Sequence, residues 1–227
     1  MQAAMSLSAL RALFPAAHPD ALPVADNALF TLGALRGKVA ELSIRASQAG
    51  GLTIALGLLH EAQLEGANVA WVAAAGSAAA AAFFPPDAAA MGLDPAALPF
   101  IRAPDPRTAG RAVSHLLRAG AFAAVVLDLR ATPASGGPLV PQALLARLVG
   151  LAQKSDAALL VLTDKAPGEE SLGSIVGLHV TICCSALKSA SGGPPRHFQL
   201  SLAAAKDKRR GPGWSERRVF SAPPDLD

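Results

Sequence analysis

The run FAAVVLDL at residues 122–129 is apolar at every position except the aspartate next to its end. A strand with one face in solvent alternates apolar and polar residues, whereas this run is apolar on both faces. Such a run is typical of the centre of a parallel sheet, because helices cover both faces of that kind of sheet. The run therefore predicts an α/β fold with helices on both sides of the sheet.

The rest of the chain alternates between strand and helix patterns, which predicts a mostly parallel twisted sheet flanked by helices and joined by right-handed crossovers. Turns separate the last strands, so we predict that these strands are antiparallel additions at the C-terminal edge. The predicted strands lie at about 38–44, 68–74, 98–102, 122–129, 158–163, 179–185, 197–203 and 217–221. The predicted helices lie at about 5–14, 51–66, 106–119 and 141–153, and Asp105 or Thr108 caps the third.

The chain of 227 residues is long enough for one α/β domain and hardly for two. We predict an N-terminal helix and arm over residues 1–32, a core domain over 33–221 and a short tail over 222–227. The net charge of +3 is mildly basic and does not by itself indicate nucleic-acid binding. The distribution matters more, because the segment 206–218 holds six basic and two acidic side chains.

Cys183 and Cys184 are adjacent in the sequence, and adjacent cysteines are poor disulfide partners. A reduced cytoplasm is therefore the expected location. The N-terminus lacks the pattern of a signal peptide, and the alanine-rich stretch at 73–82 is too short to span a bilayer, so no membrane association is expected. The five histidines are scattered without metal-ligand spacing, and no metal site is predicted.

Three stretches resemble the RecA family in their order and spacing, over residues 33–220. The opening GALRGKVAEL (33–42) resembles the strand that enters the family's nucleotide site. The stretch 91–129 has the family's order of strand, Pro-Asp turn, helix, Arg-Ala-Gly break and apolar strand ending in Asp. The stretch LAAAKDKRRGPGWSERRVF (202–220) resembles the family's late strand and its Lys-x-Lys pair. The resemblance implies a RecA-like core domain.

The phosphate loop that this resemblance implies lacks the residues that bind phosphate and Mg²⁺. Such a loop needs the pattern G-x-x-x-x-G-K-[ST], in which the lysine neutralises phosphate oxygens and the hydroxyl binds Mg²⁺. In the corresponding run, Arg45 replaces the first glycine, Gly50 keeps its place, Gly51 replaces the lysine and Leu52 replaces the hydroxyl residue. Thr53 is one residue too far along to substitute for that hydroxyl. A charge-assisted hydrogen bond is worth about 1.5–3 kcal/mol, so we expect ATP binding to be weakened by orders of magnitude.

Two further positions bear on hydrolysis. Ala75 stands where the resemblance implies the glutamate that polarises the attacking water, and alanine cannot do this. Asp128 matches the family's acidic residue at the end of a central strand, but without the other metal contacts we favour its interpretation as a strand-end aspartate that accepts backbone N–H bonds. Arg45 could contact phosphate, fill the empty site or face solvent. We predict a pseudo-ATPase that uses no cofactor. The loops at 131–140 and 165–174, which correspond to the DNA-binding loops of a recombinase, are shortened, so we expect that the chain alone does not exchange DNA strands.

The basic segment has three interpretations that the sequence leaves open. Its cations could contact the phosphate backbone of DNA, form a subunit interface as the family's Lys-x-Lys pair does, or lie on a solvated hairpin loop. Trp214 beside the Gly-Pro-Gly turn at 211–213 could stack or anchor a contact. The basic residues concerned are Lys206, Lys208, Arg209, Arg210, Arg217 and Arg218.

A short RecA-like chain with an inactive phosphate loop resembles ImuA-type proteins, which are bacterial accessory factors of SOS-induced mutagenic translesion DNA synthesis. The resemblance implies a non-catalytic scaffold that binds an ImuB-type polymerase homologue, with RecA, DNA bound weakly and a second copy of the chain as further candidate partners. The alternatives are a modulator of RecA filaments, a divergent ATP-binding recombinase-like protein that uses Arg45 and Asp128, and a simple DNA-binding module.

Overall fold

The computed structural model describes residues 29–44, 50–74, 83–130, 139–166, 168–187 and 197–221. The strands are β1 (Val39–Ile44), β2 (Asn68–Ala74), β3 (Phe100–Ala103), β4 (Phe122–Asp128), β5 (Ala158–Thr163), β6 (Leu178–Leu187), β7 (His197–Asp207) and β8 (Ser215–Ser221). The helices are α1 (Leu32–Leu35), α2 (Gly50–Leu64), α3 (Pro85–Ala90), α4 (Pro106–Ala119) and α5 (Gln142–Ser155). The predicted helix at 5–14 and the tail at 222–227 lie outside the described residues.

The eight strands form one sheet in the order β3-β2-β4-β5-β1-β6-β7-β8. Strands β1 to β6 run in the same direction, because every pairing among them is parallel. Strand β7 is antiparallel to β6, and β8 is antiparallel to β7. The predicted α/β fold, with a mostly parallel sheet and antiparallel strands at the C-terminal edge, is therefore confirmed.

Helices cover both faces of the sheet and bury one apolar layer on each side. Helix α2 packs on the first face, where Leu42, Trp71 and Val126 contribute to the buried cluster. Helices α4 and α5 pack on the other face, where Val125, Leu127 and their neighbours are buried. Both faces of β4 are thus buried, as the apolar run predicted, and burial of each large side chain contributes about 1.5–3 kcal/mol.

Local sequence signals set the ends of α4. Asp105 caps its N-terminus, since the carboxylate accepts hydrogen bonds from the Thr108 backbone N–H at 2.8 Å and from the Thr108 hydroxyl at 2.7 Å. Gly120 ends the helix with a φ of 69°, a left-handed conformation that favours glycine. The predicted bounds of 106–119 are confirmed, and of the two candidate caps Asp105 is the N-cap residue.

Three elements differ from the sequence prediction. Residues 85–90 are outside the predicted helices, but Pro85 and Pro86 begin α3, because proline fits the first turn of a helix. Residues 32–35 are also outside the predicted helices, but they form α1, whose first turn is capped by the Thr31 hydroxyl. Strand β7 runs to Asp207, four residues beyond its predicted end. No helix in the described ranges is both long and apolar enough to cross a membrane.

Candidate functional site

The start of α2 is the position at which the resemblance places a phosphate loop. Gly50 and Gly51 are the first two residues of this helix, and both are buried. Arg45 and the rest of the segment 45–49 lie outside the described residues, as does Ala75 after the end of β2. The structure therefore describes the helix end of the predicted site and the strands beside it.

Both glycines are packed against side chains of the sheet. A Cβ atom on Gly50 would overlap Cδ2 of Leu200, and it would lie 3.3 Å from Cγ of Leu200 and 3.4 Å from Cβ of Cys184. A Cβ atom on Gly51 would overlap Cδ1 and Cγ1 of Ile44 and lie 3.1 Å from Cβ of Ile44. The Ile44 side chain would have to move to admit the stem of a lysine at position 51, so these glycines serve close packing of α2 on β1, β6 and β7.

The residue in the hydroxyl position has also become part of the core. Leu52 is half-buried and packs against the same apolar cluster as α2. A leucine side chain can neither coordinate Mg²⁺ nor donate a hydrogen bond. The N-terminus of α2 is thus an apolar packing surface along the part of it that the structure describes.

Asp128 lies at the end of β4, with its side chain fully buried, and Arg130 holds both of its carboxylate oxygens. The guanidinium Nε donates to Oδ1 at 3.0 Å, and Nη2 donates to Oδ2 at 2.8 Å. The backbone N–H of Arg130 donates to Oδ1 at 3.2 Å. The backbone contact agrees with the interpretation of Asp128 as a strand-end aspartate. The bidentate ion pair was not anticipated, and a metal ion would have to compete with it.

The basic segment forms the end of β7, a tight turn and β8. The side chains of four of its six cations are exposed, while two are half-buried and have partners in the protein. Lys206 donates hydrogen bonds to the carbonyl oxygens of Gly173 and Ser174 at 3.1 and 3.0 Å. Arg218 contacts Glu216 at 2.7 Å and also donates to the Phe30 carbonyl. The exposed cations are Lys208, Arg209, Arg210 and Arg217.

Asp207 organises the turn between β7 and β8. Its carboxylate accepts hydrogen bonds from the backbone N–H groups of Arg209 and Arg210, at 2.8 and 3.1 Å, and from the indole N–H of Trp214 at 2.9 Å. Burial raises the pKa of Asp207, but these hydrogen bonds and the Lys38 charge outweigh burial and hold it below its usual 3.8. Trp214 is therefore anchored within the hairpin.

Lys38 joins this basic turn from the start of β1, which the sequence did not indicate. Burial lowers the pKa of Lys38, and the Arg209 and Arg210 charges lower it further. The pKa of Lys206 is also lowered, first by burial and then by the Lys208 charge. Arg209 and Arg210 thus share a region of positive potential with Lys38, and Lys208 does so with Lys206.

The hairpin also holds the end of the N-terminal arm. The Glu216 carboxylate accepts hydrogen bonds from the backbone N–H groups of Leu29 and Phe30, at 2.8 and 3.0 Å. The Phe30 side chain is fully buried in the apolar cluster under α2. Part of the basic segment therefore has a structural role, because Arg218 and Glu216 fix the point at which the arm enters the core domain.

A buried polar cluster connects β1, β5 and β6, and sequence reasoning missed it. The Glu41 carboxylate accepts from the Thr163 hydroxyl at 3.0 Å and the Leu172 backbone N–H at 2.7 Å, and it pairs with Lys165 at 2.7 Å. The Ser43 hydroxyl lies 2.7 Å from Nε2 of His179 and 3.1 Å from the Thr163 hydroxyl. Glu41 and Ser43, at alternate positions of the strand VAELSI, were the available signal.

Burial lowers the pKa of His179, and the charges of Lys165 and Lys206 lower it further, while Glu41 acts in the opposite direction. The imidazole is therefore neutral in the folded protein near neutral pH. The cluster fixes the segment after β5 to the sheet, because Leu172 and Lys165 belong to that segment.

Comparison with known proteins does not assign the chain to a family. No family model matches it, and no curated protein is significantly similar to it.

Proposed function

We propose that this chain is a non-catalytic RecA-like scaffold that takes part in mutagenic translesion DNA synthesis by binding an ImuB-type polymerase homologue. The packing of Gly51 against Ile44 supports the non-catalytic part of the proposal, because the Ile44 side chain fills the space that the phosphate-loop lysine would need. The partner follows from the resemblance of the sequence to ImuA-type proteins. The mostly parallel sheet with antiparallel C-terminal strands is consistent with the RecA-like core that the sequence motifs imply.

The charges near the start of α2 disfavour ATP turnover. A bound triphosphate carries several negative charges, which a phosphate-loop lysine and Mg²⁺ normally offset. The start of α2 offers buried glycines and a leucine in their place, and the carboxylate of Asp128 is paired with Arg130. A RecA-like protein that does not turn over nucleotide acts only through what it binds, which is the role of a scaffold.

Co-purification tests the proposed partner. The full chain is offered to an immobilised ImuB-type protein from the same genome and, in parallel, to immobilised RecA. Retention on the ImuB-type protein supports the scaffold, and retention on RecA alone supports the alternative, a modulator of RecA filaments. Retention on neither protein overturns the scaffold proposal.

Weak DNA binding is a second candidate activity, and the exposure of Lys208, Arg209, Arg210 and Arg217 favours it. Contacts to phosphates depend steeply on salt, because each contact releases counterions. Lys206 and Arg218 are not assigned to this surface, since their side chains are half-buried and bound to carbonyl oxygens of the protein. Arg210 also reaches a carbonyl oxygen, that of Leu29 at 3.5 Å, but its side chain is exposed. A mobility shift with bare DNA that fades as salt is raised is the expected observation.

A further inference from the structure

A groove between α4 and α5 lies on the face of the sheet opposite α2, away from the hairpin and the start of α2. Its volume is about 490 Å³, within the range of small-ligand pockets. Three arginines line it: Arg107 and Arg111 from successive turns of α4, and Arg147 from α5. His115 continues the α4 row by one more turn, because residues four apart share one face of a helix.

The three arginines are exposed, and none has an ion-pair partner among the residues that the structure describes. Asp105 is an acidic residue whose charge interacts with Arg111. Its pKa is held below 3.8 by its hydrogen bonds to Thr108 and to a small extent by the Arg111 charge. The Asp105 carboxylate is already engaged as the cap of α4. Three guanidinium groups therefore line one groove without an ion-pair partner in the described part of the chain.

The floor of the groove is apolar, and this indicates which kind of ligand the groove can bind. Pro141, Ala143 and Leu144 line it, and Leu144 packs closely on α4, where a Cβ atom on Gly110 would lie 2.8 Å from its Cδ2 atom. No Phe or Trp lines the groove, so it lacks the aromatic platform on which unpaired bases stack. The guanidinium group of arginine binds a carboxylate through two parallel hydrogen bonds. The apolar floor suits an aliphatic side chain that lies between two such carboxylates.

We infer that the groove between α4 and α5 binds an acidic peptide segment of a partner protein, with an aliphatic residue placed between acidic residues. The carboxylates pair with Arg107, Arg111 and Arg147, and the aliphatic side chain lies on Leu144. The inference does not depend on the proposed lack of ATP turnover, because the groove shares no residue with the start of α2 or with Asp128.

Fluorescence anisotropy of the full chain with a labelled peptide tests this site. The probe is the hexapeptide Asp-Leu-Asp-Asp-Leu-Asp, compared with Asp-Ser-Asp-Asp-Ser-Asp and with a labelled single-stranded oligonucleotide. Binding of the leucine peptide in preference to the serine peptide is the expected result. Arg111→Gln and Arg147→Gln each weaken binding about tenfold or more, because each removes a charge-assisted hydrogen bond.

Arg118→Gln is the matched control, since it removes an exposed charge from the last turn of α4 outside the groove. It leaves peptide affinity unchanged, and thermal melting shows that all three variants are folded. The inference is overturned if the peptide does not bind, or if Arg118→Gln weakens binding as much as Arg111→Gln does. It is also overturned if the oligonucleotide binds more tightly than the peptide and Arg111→Gln abolishes that binding, which makes the groove a nucleic-acid site.

Discussion

Gly51 at the start of α2 lies so close to Ile44 at the end of β1 that a Cβ atom on residue 51 would overlap the Ile44 side chain. The helix can approach the strand in this way only because residue 51 has no side chain. The lysine of a phosphate loop and the present packing are therefore incompatible at this position.

Gly51→Ala is expected to destabilise the protein by about 1–3 kcal/mol, because the added methyl group overpacks the junction of α2 and β1. Gly57→Ala is the matched control in the same helix, since nothing lies within 4 Å of its Cβ position. The control is expected to stabilise the protein by about 0.5–1 kcal/mol, because alanine favours the helix over glycine. Urea unfolding measures both changes, and equal effects of the two substitutions would contradict the packing argument.

Arg130→Gln is expected to lower the free energy of unfolding by about 3 kcal/mol, because it leaves the buried Asp128 carboxylate without its cation. The double variant Asp128→Asn, Arg130→Gln recovers part of this stability, since no unpaired charge remains. Arg118→Gln, an exposed charge outside any ion pair of the described residues, changes stability by less than about 0.5 kcal/mol. Additive effects in the double-mutant cycle would show that the pair is not coupled.

The lowered pKa of His179 predicts that stability falls in mild acid. The unfolded chain takes up a proton on this histidine near its ordinary pKa of 6.5, while the folded protein binds it only at lower pH. The stability present above pH 6.5 therefore decreases as the pH falls from that value through the folded-state pKa. Urea unfolding at a series of pH values measures this decrease.

His179→Gln should reduce the dependence of stability on pH over this range, because glutamine does not titrate. His115→Gln, at an exposed position of α4, serves as the control and should leave the dependence as it is in the unmodified protein. A pH profile that is the same for His179→Gln and the unmodified protein would show that the buried imidazole does not carry the effect.

Lys208→Gln and Arg209→Gln together are expected to weaken binding to single-stranded DNA and to reduce the salt slope by about one for each phosphate interaction that is removed. Both side chains are exposed in the turn between β7 and β8. Arg218→Gln instead lowers stability, since it removes a hydrogen bond to the arm at Phe30. Electrophoretic mobility shifts at several salt concentrations distinguish the two effects. A salt slope unchanged in the double variant would place the DNA-binding surface elsewhere.

Strand β4 and helix α4 could be predicted because the sequence signals that set them are local. The apolar run at 122–129 and the Asp105 cap each act within a few residues, and the structure has β4 and α4 where these signals placed them. Helix α3 was missed because Pro85 and Pro86 suit a boundary and a helical first turn equally well, and local sequence does not decide between the two.

The site depended on contacts between distant segments, which the sequence alone does not reveal. Leu200 meets Gly50 only after β7 has been added to the sheet, and Glu41 meets Leu172 across 131 positions of the chain. Arg130 is only two residues from Asp128, but the pairing requires the chain to turn at the end of β4. The sequence indicated which residues of a phosphate loop were missing, while the structure shows which side chains pack against the glycines that remain.

Isothermal titration calorimetry of the full chain with ATP and Mg²⁺ tests the central claim most directly. The account predicts no saturable binding up to millimolar nucleotide, because a buried glycine and a leucine replace the cation and the metal-binding hydroxyl. Saturable binding with a micromolar Kd would contradict it.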